Sequence, residues 1–131
     1  MKKQLIKLLL LASTLIVLTN CKKFGRSYDA YFYADIEASA GPLTLFIDNQ
    51  NKGELPNLKT SVSPTNDTIL NNALHLKIKS GKYNIEAKDA QGNVKCSGTL
   101  KFRGNNLNVT GKTGGHAASG NDNTVAVKFY Y

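Results

Sequence analysis

Few residues of this 131-residue chain have the types and spacing that catalysis or metal binding requires. The two histidines, His75 and His116, are far apart and have no acidic residue at a spacing typical of metal ligands, so no metal site is predicted. Ser119 lies near His116, but in a Gly-rich segment, whereas serine nucleophiles occupy rigid turns beside a base. We therefore expect no catalytic residues, with a small hydrolase that uses His116 or Ser119 as a less favoured alternative.

The segment Gly111-Lys112-Thr113 is similar to the end of a phosphate-binding loop. Such a loop has its first glycine five residues earlier, and here that position is Asn106. Glycines at 114, 115 and 120 would also break the helix that must follow the loop. We predict neither nucleotide binding nor any other cofactor.

A row of cations on predicted strands is the feature that most favours a binding function. Strand alternation directs these side chains outward, and neighbouring strands would gather several of them into one basic patch. Such a patch attracts anionic lipid head groups, lipopolysaccharide phosphates or acidic glycans, whereas an ordinary solvated face is the alternative. Aromatic residues that would stack bases are not interleaved with the cations, so no nucleic acid partner is expected. The row consists of His75, Lys77, Lys79, Lys88, Lys95, Lys101 and Arg103.

The beginning of the chain has the layout of a secretory signal. Lys2, Lys3 and Lys7 make it positive, and an apolar stretch that ends at Leu18 is too short and too interrupted to span a bilayer. The stretch ends in Leu18-Thr19-Asn20-Cys21, which resembles the lipobox of bacterial lipoprotein precursors except for Asn20. The resemblance implies cleavage before Cys21 and a diacylglycerol anchor on its thiol. An ordinary secretory signal, with an incidental Cys21, is the alternative.

Lipidation would hold the protein firmly to a membrane, because each buried methylene contributes about 0.8 kcal/mol. Resemblance to Gram-negative lipoproteins implies the outer membrane, since Lys22 rather than Asp follows the cysteine. We expect a signal peptide over residues 1–20, the lipidated cysteine and a short tether over 21–28, and one domain over 29–131. The whole chain has a formal charge of +8, and three of its 17 basic residues precede Cys21, so the mature chain stays basic.

Period-two alternation of apolar and polar residues, with turn residues in between, predicts an all-β fold. Each such strand has one apolar face, so a small antiparallel β-sandwich is expected. Alternation is clearest in the segments 30–38, 43–48, 74–79, 83–87, 94–103 and 125–129, and short strands are predicted at 58–62 and 107–109.

Other segments are predicted as turns or loops. Residues 49–53, Ser80-Gly81 and 91–93 have turn composition, the second of them between two paired antiparallel strands, and Gly98 marks a bulge or a close approach. Residues 65–73 are predicted as a loop or one helical turn capped by Asn66 or Asp67, and Gly111 to Gly120 as an exposed loop. Cys96 lies on an apolar face and is predicted to be a buried, inert thiol; if Cys21 is not acylated, a Cys21–Cys96 disulfide becomes feasible.

Two further resemblances involve short motifs. Leu43 to Asp48, Lys52 to Pro56, Leu74 to Ile78 and Ser80 to Ile85 resemble the strands and turns of PEGA-type, immunoglobulin-like modules of bacterial surface proteins. That resemblance implies an immunoglobulin-like sandwich that serves as a spacer or binding platform and has no catalytic residues. Ser80 replaces the usual proline, and residues 58–73 are an extra connection. Asp67-Thr68-Ile69 resembles the acceptor of a bacterial O-glycosylation system.

The sequence thus predicts a non-enzymatic, membrane-anchored lipoprotein of the cell envelope that binds or spaces an anionic component or an envelope protein. The alternative is a loop-based ligand-binding or inhibitor-like periplasmic domain that uses residues 49–56 and 111–123, since loops on rigid sandwiches often recognise ligands.

Overall fold

A computed structural model describes residues 25–103 and 106–131. Within this part, strands dominate, with one short helix and one 3-10 turn at Ala38–Ala40. The strands are β1 (Ser27–Ala34), β2 (Leu43–Ile47), β3 (Gln50–Leu55), β4 (Leu74–Lys79), β5 (Gly81–Lys88), β6 (Val94–Arg103), β7 (Asn106–Thr113), β8 (Gly115–Asn121) and β9 (Thr124–Tyr130), and the helix is α1 (Asp67–Asn72).

The strands form two sheets, which confirms the predicted small all-β sandwich. A four-stranded sheet has the order β4-β1-β9-β8, and a five-stranded sheet has the order β3-β2-β5-β6-β7. Neighbouring strands are antiparallel except for β1 and β9, which run parallel. β1 begins at Ser27, two residues before the predicted start of the domain.

The core lies between the two sheets and follows the alternation in the sequence. β2 buries Leu43, Leu45 and Ile47 and leaves Thr44 and Phe46 partly exposed. β9 contributes Val125, Val127 and Phe129 from the other sheet. At one end the Tyr28 ring stacks on the Phe102 ring of the facing sheet, with centroids 4.9 Å apart. Apolar burial of this kind contributes roughly 25 cal/mol per Å².

Part of the outer face of the four-stranded sheet is covered too, which the alternation in β1 did not predict. Tyr33 and Ala126 are fully buried on that face beneath Ile69 of α1. The prediction of a half-buried strand over 30–38 is therefore wrong at Tyr33, and the strand itself ends at Ala34. A strand covered on both faces buries residues of both parities.

The covering segment, residues 56–73, is fastened to the end of β1 by polar contacts. Leu58 N–H donates to Ala34 O at 2.8 Å, and the Asn57 amide exchanges two hydrogen bonds with the main chain of Ile36, at 2.8 and 3.1 Å. Lys59 Nζ lies 3.2 Å from Asp35 Oδ1. The predicted strand at 58–62 is wrong, since only an isolated bridge at Asn57 forms.

The predicted helical turn is confirmed as α1. Asn66 is its N-cap, and its Oδ1 accepts a hydrogen bond from Thr68 N–H at 2.9 Å. The glycosylation-like motif Asp67-Thr68-Ile69 therefore lies in a helix rather than in an exposed loop, with Thr68 exposed and Ile69 buried.

The predicted exposed loop at Gly111 to Gly120 is wrong, because β7 and β8 occupy it. Gly114, at φ 67°, turns the chain from the five-stranded into the four-stranded sheet. A Cβ there would lie 2.6 Å from Cys96 Sγ and 2.7 Å from Lys95 O, so only glycine fits. The predicted special role of Gly98 is confirmed by the register shift beside it.

Two turn predictions need correction. The β2–β3 turn consists of Asp48 and Asn49 alone, both at positive φ, and Gly53 lies within β3. Ser80 and Gly81 do link β4 to β5, but these strands belong to different sheets and do not pair. Residues 49–56 and 111–123 are thus largely strands, which removes the loops on which the loop-based alternative relied.

The Tyr33 hydroxyl supplies a test of the covering segment. Its buried oxygen has no hydrogen-bond partner among the described residues, and burial raises the pKa of Tyr33 to about 12. Removing the hydroxyl in Tyr33→Phe should raise the free energy of unfolding by about 1 kcal/mol, because an unpaired buried polar group costs roughly 1–3 kcal/mol. Urea unfolding measures this change.

Tyr83→Phe is the matched control, since the Tyr83 hydroxyl donates to Lys79 O at 2.7 Å. This variant should lose stability. A stability loss in Tyr33→Phe as large as in Tyr83→Phe would contradict the described burial of Tyr33.

Candidate functional site

The predicted row of cations does not form one patch. His75, Lys77 and Lys79 lie on β4, in the four-stranded sheet, whereas Lys88, Lys95 and Lys101 lie on β5 and β6, in the five-stranded sheet. Arg103 is the last residue of β6. Alternation predicted the outward direction of His75 and the five lysines correctly, but it did not specify the sheet to which each strand belongs.

Four members of the row have acidic partners. His75 Nε2 and Lys77 Nζ lie 2.8 and 3.5 Å from Asp29 Oδ1, and the pKa of Asp29 is lowered chiefly by the His75 hydrogen bond. Lys88 Nζ lies 3.0 Å from Glu86 Oε2, and Lys95 Nζ lies 3.6 Å from Asp89 Oδ2. Each of these four side chains therefore has a carboxylate nearby, and each is a weaker site for an anion than a lysine that has none.

Lys101 is different, because another lysine lies directly opposite it. The register pairs Lys101 with Lys82 of β5 on one side and with Asn108 of β7 on the other. Both lysines are exposed, and neither has an ion pair within the described part of the chain. Lys82 was not predicted as part of the row, although its alternation with buried Ile85 and half-buried Tyr83 indicates an outward side chain.

The two lysines border a shallow depression of about 330 Å³ on the outer face of the five-stranded sheet, which we call the two-lysine depression. Thr99 and Thr110, which also pair across strands, lie beside the lysines. The hydroxyl of Thr110 lies 3.4 Å from Asn108 Oδ1 and donates to it, which leaves the Asn108 amide N–H groups for another acceptor. The two-lysine depression is lined by Lys82, Thr99, Lys101, Asn108 and Thr110.

This lining is complementary to an oxyanion. It offers two ammonium groups, hydroxyls and an amide, and none of its residues is acidic. Like charges directly opposite on neighbouring strands destabilise a sheet, so an anion that neutralises both lysines relieves that repulsion. Phosphate, sulfate or carboxylate groups fit this chemistry.

The structure does not bring His116 and Ser119 together. Both lie on β8, three residues apart, and their side chains therefore point to opposite faces of the strand. The His116 ring packs edge-on against Phe129, with centroids 5.4 Å apart, and both ring nitrogens are buried without a hydrogen-bond partner among the described residues. The two residues do not form a base–nucleophile pair.

Cys96 is fully buried, as predicted, and burial raises the pKa of its thiol, so the thiolate is disfavoured. Cys21 lies outside the described residues. The Cys21–Cys96 disulfide that the sequence allows if Cys21 is not acylated therefore stays a prediction.

Within the described ranges, no group of three or more His, Cys, Asp or Glu residues could hold a metal ion. None of the helices described is long and apolar enough to cross a membrane. Comparison of the chain with protein-family models, with curated proteins and with solved structures finds no match.

The buried ring of His116 predicts a stability loss in mild acid. Burial lowers the pKa of His116, so the unfolded chain, with its ordinary histidine pKa of about 6.5, binds the proton more readily. The melting temperature should therefore fall as the pH drops from 7.5 through 6.5 toward 5, above the range in which the carboxylates titrate. Calorimetry across this range measures the fall.

His116→Phe keeps a ring against Phe129 and should abolish this fall, whereas His75→Gln should keep it. An equal pH dependence of the melting temperature in wild type and His116→Phe would contradict the prediction.

Proposed function

We propose that this protein is a lipid-anchored lipoprotein of the cell envelope, in the outer membrane, whose sandwich is a non-enzymatic module that binds oxyanions in the two-lysine depression. The pairing of Lys82 with Lys101, with no acidic partner for either among the described residues, is the observation that carries the binding part. The sequence Leu18-Thr19-Asn20-Cys21 after a basic and apolar start supports the anchor.

The position of the two-lysine depression supports a ligand at the membrane. Ser80 N–H donates to Arg26 O at 2.7 Å, so the described chain begins beside the β4–β5 turn. Lys82 follows that turn by two residues, so the depression and the start of the domain share one end of the sandwich. An anchor on Cys21, within about 14 Å of Gly25, would hold this end near the lipid head groups.

Head-group phosphates are therefore the favoured ligand, and lipopolysaccharide phosphates or acidic glycans offer the same chemistry. Each lysine near an anionic surface contributes about 1 kcal/mol. Such binding is electrostatic and weak per contact, and salt screens it. Weak binding is sufficient for a tethered module, because the anchor keeps the local concentration of ligand high.

Replacement of both lysines tests the depression. Lys82→Gln/Lys101→Gln should weaken binding of residues 25–131 to phosphatidylcholine vesicles that contain phosphatidylglycerol by roughly thirtyfold, at about 1 kcal/mol per lysine. Vesicle co-sedimentation at low and high salt measures this loss of binding. The double variant should fold as well as the wild type, because the substitutions remove a like-charge pair.

Lys88→Gln/Lys95→Gln is the matched control, with the same change in charge on the same sheet, and it should bind nearly as wild type. Competition by soluble polygalacturonate, a carboxylate polymer, distinguishes a glycan from a lipid ligand. Equal losses in both double variants would mean that only net charge matters, and would contradict a defined site.

Replacement of Cys21 tests the anchor. In Cys21→Ser the protein should move from the membrane fraction to the soluble fraction, because the acceptor of the acyl chains is lost. Cys96→Ser, which changes the other cysteine, should leave fractionation unchanged. Mass spectrometry of the N-terminal peptide should show an acylated Cys21, and an unmodified N-terminus would overturn the lipoprotein proposal.

A further inference from the structure

The sandwich is closed along one side and open along the other. On the closed side the chain crosses between the sheets at Gly114, from β7 to β8. On the opposite side β3 and β4 are the edge strands, and each has a single strand neighbour within the described part of the chain. Between them lies a groove of about 250 Å³, which we call the open-edge groove.

The open-edge groove has an apolar floor and a basic rim. Four apolar or aromatic residues form the floor, and Ile78, 8% exposed, is the most buried part of β4. Three lysines from both edge strands form the rim. No acidic residue is among the lining residues, and Asp29 Oδ1 lies 3.5 Å from Lys77 Nζ on the outer face. The floor is Ile47, Leu76, Ile78 and Tyr83, and the rim is Lys52, Lys77 and Lys79.

The main chain of β4 also faces this opening. The bond from Ser80 N–H to Arg26 O marks a hydrogen-bonded pair between β4 and β1, and such pairs alternate along an antiparallel ladder. The main-chain groups of Ile78 and Leu76 therefore point to β1, and those of His75, Lys77 and Lys79 point to the opening. The hydrogen bond from the Tyr83 hydroxyl to Lys79 O, on the open side, agrees with this alternation.

We propose that β4 accepts an extended segment of a partner protein as an added antiparallel strand, and that acidic residues alternate with apolar ones in this segment. Main-chain hydrogen bonds to His75 and Lys77 would hold the segment in register. Its apolar side chains would pack against Leu76 and Ile78 in the open-edge groove. Its acidic side chains would lie on the outer face, opposite Lys79 and Lys77. Lys79 has no ion pair within the described part of the chain, and the contact of Lys77 with Asp29 is exposed and therefore weak.

Charge and hydrogen bonding distinguish this partner from two others. A second copy of β4, paired antiparallel, would set the row His75, Lys77 and Lys79 against itself, and lysines on an edge strand are a common protection against such pairing. A lipid chain could fill the apolar floor, but it would leave the main-chain donors and acceptors of β4 unpaired. An acidic strand would pack on the apolar floor, lie opposite the lysines of the rim and form hydrogen bonds with the main chain of β4.

Synthetic peptides test the proposal on the full chain. The probe is a fluorescent, end-blocked peptide of alternating valine and glutamate, used below the concentration at which it self-associates. Fluorescence anisotropy should show saturable binding, and a peptide of alternating valine and lysine should bind at least about tenfold more weakly. Equal affinity for the two peptides, or no binding of either, would overturn the proposal.

Lys77→Pro tests the main chain directly. The Lys77 N–H points to the opening, so proline removes a donor needed by the added strand without removing a bond to β1. Binding of the glutamate peptide should fall about tenfold while the circular dichroism spectrum is retained. Lys77→Glu/Lys79→Glu should reverse the preference, so that the lysine peptide binds more tightly. This double variant tests the proposal if Lys77→Pro does not fold.

Lys82→Gln/Lys101→Gln is the control, because it changes the two-lysine depression on the other sheet and should leave peptide binding unchanged. Failure of either proposal is thereby distinguishable from failure of the other. Displacement of the peptide by phosphatidylglycerol vesicles, combined with indifference to Lys77→Pro, would identify the open-edge groove as a lipid site and contradict strand addition.

Discussion

Burial of two apolar sheet faces against each other is the interaction on which the structure depends. Along most strands every second residue is apolar, and these residues leave water only when the two sheets meet. The contact is continued at one end by aromatic rings, where Phe102 stacks on Tyr28 and meets Tyr83 edge-on. With Cys96 buried and its thiol free, the described domain depends on packing rather than on a disulfide.

The way in which the sandwich closes decides where binding can occur. A glycine at 114 lets the chain pass from one sheet to the other at close range, so the β7–β8 side is sealed. Part of the outer face of the four-stranded sheet, around Tyr33 and Ala126, is also covered by α1 and its flanking segment. Among the described residues, the outer face of the five-stranded sheet has two lysines without an ion pair, and β4 has an open edge.

Alternation predicted the inward side chains correctly where a strand has one buried face, as in β2 and β5. It failed at Tyr33, which is covered from the outside by residues some 35 positions later in the chain. Composition failed at Gly111 to Gly120, because glycines mark both flexible loops and strands that approach other groups closely. The lining of the two-lysine depression was half predicted, since Lys101 was named and Lys82 was not.

The sequence by itself determined the class of fold and the outward direction of most cations, because both follow from the side-chain period of a strand, a local property. It also contains the basic and apolar start and Cys21 that favour a lipid anchor. Only the tertiary structure decided which cations are neighbours, because cross-strand pairing joins residues distant in the chain. Pairing set Lys82 against Lys101, gave His75 and Lys77 a shared partner in Asp29, and left β4 at an open edge.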